Sequence, residues 1–295
     1  MGRFYSPLRY PGGKTKLADF VKILISKNDI DDGLYAEVFA GGSGVALSLL
    51  IEGFVSRIII NDLDKNIYSF WRACVNHNSE LRNLITSTEV TIDEWHKQRD
   101  ILNDANSNLM ERAFATFFLN RTNRSGIITG GVIGGLEQDG NYGIKARYTK
   151  PTLLKRIKKI GEFSEKIEVT RYNALEFIDE YVNDFPNNSL TYFDPPYYVK
   201  GSSNLYSNYF EEEDHIELKD KIAQLDQNWF LSYDNVSKIR QIYSNYRSIH
   251  YGLSYSAQEK YEGKEIIFFS DTLTYPDVTN PAKVKFKNQN NLTFA

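Results

Sequence analysis

The stretch that most limits what this chain can fold into is Leu190-Thr191-Tyr192-Phe193-Asp194-Pro195-Pro196-Tyr197-Tyr198. Its apolar half reads as a buried strand. The two prolines that follow can continue neither a ladder nor a helix, so Asp194 stands at a rigid strand end. In open α/β sheets, ligands bind just beyond the carboxyl ends of strands. A fixed carboxylate, then carbonyls with no competing N–H, then aromatic rings, can accept both protons of a planar exocyclic amine and stack on its ring. An ordinary strand exit with a Pro-Pro turn and surface tyrosines is the plain alternative. The stronger reading requires that the rest of the chain build a ligand crevice around this strand end.

A cofactor site is legible in the first third. Residues 34–39 read as a strand, Ala40-Gly41-Gly42-Ser43-Gly44 as a loop without bulky side chains, and residues 45–50 as a helix. This order lets a nucleotide-like group approach the main chain. A second strand, residues 57–61, ends at Asp62. The placement, about 20 residues beyond the first glycine, is that of a carboxylate gripping ribose hydroxyls. Ahead of both lies Arg9-Tyr10-Pro11-Gly12-Gly13-Lys14-Thr15, leading into a helix. It is no phosphate loop, because no strand precedes it and the glycine spacing fails. A tight glycine turn with a lysine at a helix start can instead press backbone and one cation against a small ligand.

Strand–helix alternation then stops. Between residues 67 and 163 the patterns are helical (67–75, 92–102 and 109–119) and surround an irregular segment, residues 120–131. That argues for a mainly helical insert at 67–163 inside a catalytic domain formed by 1–66 and 164–280. Net charge is −3, so no global field draws the protein to a polyanion, and any nucleic-acid surface must be a local patch. The insert supplies candidates in Arg121, Arg124, Lys145, Arg147 and a run from Lys155 to Lys159 that reads equally well as a solvated helix face. Asn and Arg read base edges and Lys serves phosphates, so Asn120, Arg121, Asn123, Arg124, Gly126, Lys145 and Arg147 are the expected DNA contacts.

Alternation resumes with strands at 167–170, 190–193, 229–233, 246–252 and 265–270, and helices at 174–182 and 214–225. Residues 281–295 read as a loosely ordered tail. The single cysteine, Cys74, falls in an apolar helical pattern and excludes an internal disulfide. The four histidines lack ligand spacing, so no metal site is expected. No apolar run approaches a membrane span, and a soluble, cytoplasmic protein is expected.

Taken in order, Tyr10-Pro11-Gly12-Gly13-Lys14, residues 37–44, Asn61-Asp62-Leu63-Asp64 and Asp194-Pro195-Pro196-Tyr197 resemble the Dam-like DNA adenine methyltransferases, the α-group amino-methyltransferases. The similarity runs from Pro7 to about Ser270. It implies a Rossmann-like α/β fold with a mostly parallel central sheet, an inserted target-recognition subdomain, and methylation of the 6-amino group of adenine in duplex DNA after base flipping. It implies S-adenosylmethionine as cofactor, held by Tyr10, Pro11, Gly12, Gly13, Lys14, Glu37, Phe39, Gly41, Gly42, Gly44, Asp62, Asn173 and Asp194. Asp194, Pro195, Pro196 and Tyr197 would be catalytic. Double-stranded DNA is the implied partner, and a cognate restriction endonuclease is compatible with the resemblance. Asn120-Arg121 keeps the family's recognition loop, but Arg124-Ser125-Gly126 departs from its usual aromatic-Asn-Gly continuation. An RNA adenine methyltransferase, a protein-glutamine methyltransferase, a nicotinamide-dependent oxidoreductase and a catalytically idle DNA-binding module are the alternatives.

Overall fold

A computed structural model describes residues 4–10, 12–198, 210–254 and 262–286. Seven strands form one sheet: β1 Gly33–Glu37, β2 Val55–Asn61, β3 Ile167–Thr170, β4 Ser189–Phe193, β5 Trp229–Asp234, β6 Arg247–Ser254 and β7 Glu262–Phe269. Their order is β3-β2-β1-β4-β5-β7-β6. The β1–β2, β1–β4, β2–β3 and β4–β5 pairs are parallel, while β7 runs antiparallel between β5 and β6. The order reverses between β1 and β4, so the crevice beyond their carboxyl ends is the switch point where such sheets take ligands. The ends of these two strands are Glu37 and Phe193, the residue before Asp194.

Both faces of the sheet are covered, which is why its strands are apolar almost throughout. Side chains alternate across the pleat. Tyr35, Ile58, Ile60, Leu190, Tyr192 and Phe230 enter one core, and Leu34, Ala36, Ile59, Phe193, Leu231 and Tyr233 the other. The second core is closed by α8 Ala174–Glu180, α9 Glu212–Ile222 and α10 Ser237–Ile242. The first is closed by α1 Ala18–Lys27, α2 Gly44–Ile51, α3 Lys65–Asn76, α4 Asn78–Ser87, α5 Ile92–Asn103, α6 Leu109–Thr122 and α7 Lys150–Gly161. No strand lies between Asn61 and Ile167 among the described residues. The five helices α3–α7 nevertheless share the continuous core of one sheet face. The helical segment is thus inserted in sequence and joined to the sheet in space.

Polar latches fix the strand ends that carry the site. Asn61 is buried, donates to the Val38 and Tyr172 carbonyls, and accepts from Thr170 Oγ1 and the Tyr172 N–H. One amide thereby ties the exits of β1, β2 and β3 together. Of the tail expected at 281–295, residues 281–286 are described. Pro281–Lys283 forms a 3-10 turn, and the Phe286 ring packs edge-on against Phe54 at 4.9 Å, because apolar surface remains there to cover. Residues 287–295 lie outside the described residues.

Candidate active site

Beyond β1 and β4 lies a cavity of about 1240 Å³. Its walls include Tyr10, Gly12, Gly13, Lys14, Glu37, Phe39, Gly41, Gly42, Gly44, Asp62, Asn173, Asp194, Pro195, Pro196 and Tyr197. Sequence positions from 10 to 197 therefore converge on one space. Pro11, also an expected cofactor contact, lies outside the described residues.

At the floor, the Ala40–Gly44 turn is folded over Asp62. The Gly41 N–H donates to Asp62 Oδ2 at 2.8 Å and the Asp64 N–H to Oδ1 at 3.0 Å. Gly41 has φ +46°, and a Cβ there would lie 2.7 Å from the Tyr10 ring, so glycine alone lets Tyr10 close over the loop. The Trp71 indole N–H donates to the Gly41 carbonyl at 2.9 Å, holding the turn from behind. Glu37 is buried and accepts from the Ala46 N–H at 3.0 Å, near the start of α2. Burial raises its carboxyl pKa to about 8, against the pull of its hydrogen bonds. Burial also raises that of Asp62, to about 7, with the neighbouring Asp64 adding to it. Asn173 caps α8 by accepting from the Glu176 N–H at 2.9 Å while lining the wall.

Asp194 sits where β4 stops. Its Oδ1 accepts from Ser232 Oγ at 2.6 Å, and the Lys14 ammonium stands 3.2 Å from Oδ1 and 3.3 Å from Oδ2. The Tyr192 hydroxyl lies 2.7 Å from Ser232 Oγ, completing a relay Tyr192–Ser232–Asp194 that orients the carboxylate. Desolvation lifts the Asp194 pKa and Glu265 adds to the rise, while Lys14 and Ser232 oppose it. After the prolines, the Tyr198 N–H donates to Asp234 Oδ1 at 3.0 Å, which locks the turn to the end of β5. The Tyr197 hydroxyl donates to Glu265 Oε1 at 2.7 Å, and Lys14 Nζ lies 4.8 Å from its ring centre. Tyr251 donates to the other oxygen of Glu265 at 2.9 Å, and Lys14 Nζ is 3.8 Å from Oε1.

A family model described as D12 class N6 adenine-specific DNA methyltransferase matches residues 10–256. The chain belongs to this family. The Type II methyltransferase M.MjaIII of Methanocaldococcus jannaschii is 24% identical over 240 residues, 75% of this chain and 80% of its own. The Type II methyltransferase M1.LlaDCHI of Lactococcus lactis subsp. cremoris is 24% identical over 231 residues, 74% and 76% of the two chains. The molecule is thus an N6 adenine-specific DNA methyltransferase, an enzyme that uses a methyl donor of the S-adenosylmethionine type and acts on DNA. Among the described residues, no group of three or more His, Cys, Asp or Glu could hold a metal ion, and no helix is long and apolar enough to cross a membrane.

The adenine methyltransferase's expected DNA contacts divide in two. Asn120 and Asn123 have no exposed surface. Asn120 accepts from the Arg9 N–H at 2.8 Å and donates to the Arg9 and Gly126 carbonyls. Asn123 accepts from the Trp95 indole at 2.6 Å and donates to the Ile127 and Ile128 carbonyls. Both amides are thus spent on the loop's own framework, and a base-edge contact by either would require breaking those bonds; Asn120 also lines the cavity. Gly126, with φ +80°, is buried where a Cβ would meet the Arg9 carbonyl at 2.4 Å, so it too belongs to the framework. Arg124, Lys145 and Arg147 are exposed, and Arg121 is half-buried at the cavity wall.

Sequence reasoning missed Ser232, Glu265 and Tyr251. Ser232 interrupts the apolar run of β5, and that interruption was the available signal, since a buried polar group needs a partner; Glu265 follows Lys264 at the polar start of β7 and carried no such mark.

Proposed function

We propose that the enzyme binds S-adenosylmethionine on the Gly41–Gly44 turn and methylates an adenine everted from duplex DNA beside Asp194. What carries the reading is the opening of Glu37, Asp62, Asp194 and Tyr197 onto one cavity. Its size exceeds the roughly 300–1,000 Å³ of a single small-molecule pocket, leaving room for a base beside a cofactor. The donor set suits this cofactor. Asp62 would accept from ribose hydroxyls, the Glu37 carboxyl would face an ammonium group, and Tyr10 and Phe39 would give apolar contact. S-adenosylmethionine, when bound, supplies an electrophilic methyl on a positively charged sulfur.

The chain's own residues do the rest by positioning. An adenine inside a duplex is stacked, and everting it costs a few kcal/mol. Tyr197, anchored through its hydroxyl to Glu265, offers a ring for the base to stack on, an interaction of about 1–3 kcal/mol. Asp194 Oδ1 accepts from Ser232 and lies 3.2 Å from Lys14 Nζ, while Oδ2 faces Lys14 at 3.3 Å. Oδ2 and the Pro195 carbonyl would accept the two amino protons. That pair of bonds draws the nitrogen toward a tetrahedral shape and frees its lone pair for attack. Charge placed before the reaction, rather than a covalent intermediate, then lowers the barrier. Lys14 favours the ionised, acceptor-only form of Asp194 against the desolvation that raises its pKa.

Both relatives are named as Type II methyltransferases, which supports a cognate restriction endonuclease as partner. The experiment for the cofactor is calorimetry with S-adenosylmethionine and, in parallel, NAD. Heat of binding is expected from the first alone and is expected to fall away in Asp62→Ala. Equal binding of NAD, or an unaffected Asp62→Ala, would contradict the assignment.

A further inference from the structure

Four arginines from separate segments gather at the lip of the cavity: Arg9 before the N-terminal turn, Arg121 on α6, Arg147 in the 3-10 turn Ile144–Arg147, and Arg156 on α7. Arg9, Arg121 and Arg156 line the cavity, and Arg147 is exposed beside them. Main-chain carbonyls hold the half-buried three. Arg9 Nη1 donates to the Asn123 carbonyl, Arg121 Nε to the Arg147 carbonyl at 2.8 Å, and Arg156 Nη1 to the Ser6 carbonyl at 2.9 Å. Among the described residues none of the four forms an ion pair with a carboxylate. Asn120 enforces the arrangement by gripping both the N–H and the carbonyl of Arg9.

A folded chain of net charge −3 has no shortage of acids to pair with these groups. Leaving four guanidinium groups together without one costs stability. The crowding shows in the proton affinity of Arg121, which burial and then Arg9, Arg156 and Arg147 lower to about 10. Burial and Arg147 lower that of Arg9 as well. Charge held against repulsion and aimed at a cavity mouth is an anion site in waiting. The guanidinium fork matches phosphate geometry.

We propose that Arg9, Arg121, Arg147 and Arg156 form a seat for backbone phosphates of the strand bearing the target adenine, next to the nucleotide that turns into the cavity. The seat rests on the DNA-methylating function proposed above. Sequence pattern alone marks Arg121 and Arg147 as DNA contacts without a role, and gives Arg9 none. Anchored phosphates on the lip would hold the backbone while the base rotates about it, so the seat acts on DNA binding and eversion rather than on the methyl-transfer step.

Arg147 gives the clean test, because its carbonyl, not its side chain, holds Arg121. Fluorescence anisotropy with a labelled duplex of mixed sequence would be run over a series of KCl concentrations for wild type, Arg147→Gln, Arg156→Gln, Arg156→Lys and Asp194→Ala. Removing one arginine–phosphate pairing should flatten the slope of log affinity against log salt by about 0.9. Arg147→Gln and Arg156→Gln are expected to show that change and weaker binding, with Arg156→Lys recovering most of it. The melting temperature of Arg147→Gln should equal or exceed that of wild type, since repulsion is relieved; a purely structural arginine would lower it. Unchanged slopes in both Gln variants would overturn the phosphate seat. If Asp194→Ala then binds DNA normally without turnover, the catalytic assignment survives that failure. Turnover by Asp194→Ala would instead strike at the function beneath it.

Discussion

At the floor of the cavity, Glu37, Asp62 and Asp194 stand on the carboxyl ends of three parallel strands, each carboxyl held by hydrogen bonds and each pushed up in pKa by burial. At the lip, Arg9, Arg121 and Arg156 come from loops and helices outside the sheet and meet without carboxylate partners among the described residues. The floor is an acid-lined pocket suited to a cationic ligand, and the lip a basic rim suited to a polyanion. The two differ in origin too. Strand ends are fixed by the sheet, whereas the lip depends on side-chain amides such as Asn120 that bind distant segments together. The carboxylates therefore sit on sheet-fixed strand ends, and the arginines on segments held together by side-chain amides.

The largest expected effect breaks the floor at one atom pair. Asp194→Ala should abolish methyl transfer while DNA affinity stays close to that of wild type. Next comes Asn120→Ala, which would detach the lip from the floor. It leaves the Arg9 N–H and the Arg9 and Gly126 carbonyls without their partner, at about 1–3 kcal/mol for each group that stays buried. A clear fall in melting temperature is expected, with DNA affinity falling alongside. Unchanged stability would show that the two regions are not joined through this amide.

Ser232→Ala sharpens the floor more gently. Its hydroxyl favours the ionised form of Asp194, so removing it raises the Asp194 pKa further. The acid limb of the kcat/KM profile, where activity is lost as pH falls through that pKa, should move to higher pH. A limb that stays in place would take Asp194 out of the titration. The smallest effect concerns stability. Glu37 keeps its proton in the folded state up to about pH 8, while the unfolded chain loses it in the ordinary carboxylate range. Between those limits the folded state binds more protons, so stability of the ligand-free enzyme falls as pH rises. Asp62 contributes in the same sense up to about pH 7. Glu37→Gln should flatten the decline in chemical denaturation curves taken across that window.

How much of this was legible beforehand follows the same division. The floor could be read because its parts are local. Ala40–Gly44 must be a turn, Asp62 must end a strand, and the prolines must stop β4 at Asp194. The residues that orient Asp194 come from neighbouring strands, and strand pairing is not written in local pattern. Ser232 and Glu265 were therefore missed, although β5 and β7 were expected within a few residues of their observed limits. The framework role of Asn120 and Asn123 was illegible for a related reason. An Asn beside an Arg in a polar loop looks the same whether its amide faces solvent or clasps its own backbone, and only burial distinguishes the two. Arg9 and Arg156 lie 147 positions apart and carried no sign of sharing one surface.

The most direct measurement is incorporation of tritium from methyl-labelled S-adenosylmethionine into DNA, with the modified base identified after digestion, for wild type and Asp194→Ala side by side. Wild type is expected to label adenine at its 6-amino group, and Asp194→Ala to give background counts at saturating DNA. Substantial labelling by Asp194→Ala, or label on any other atom in the wild-type reaction, would contradict a catalytic pocket built on that carboxylate.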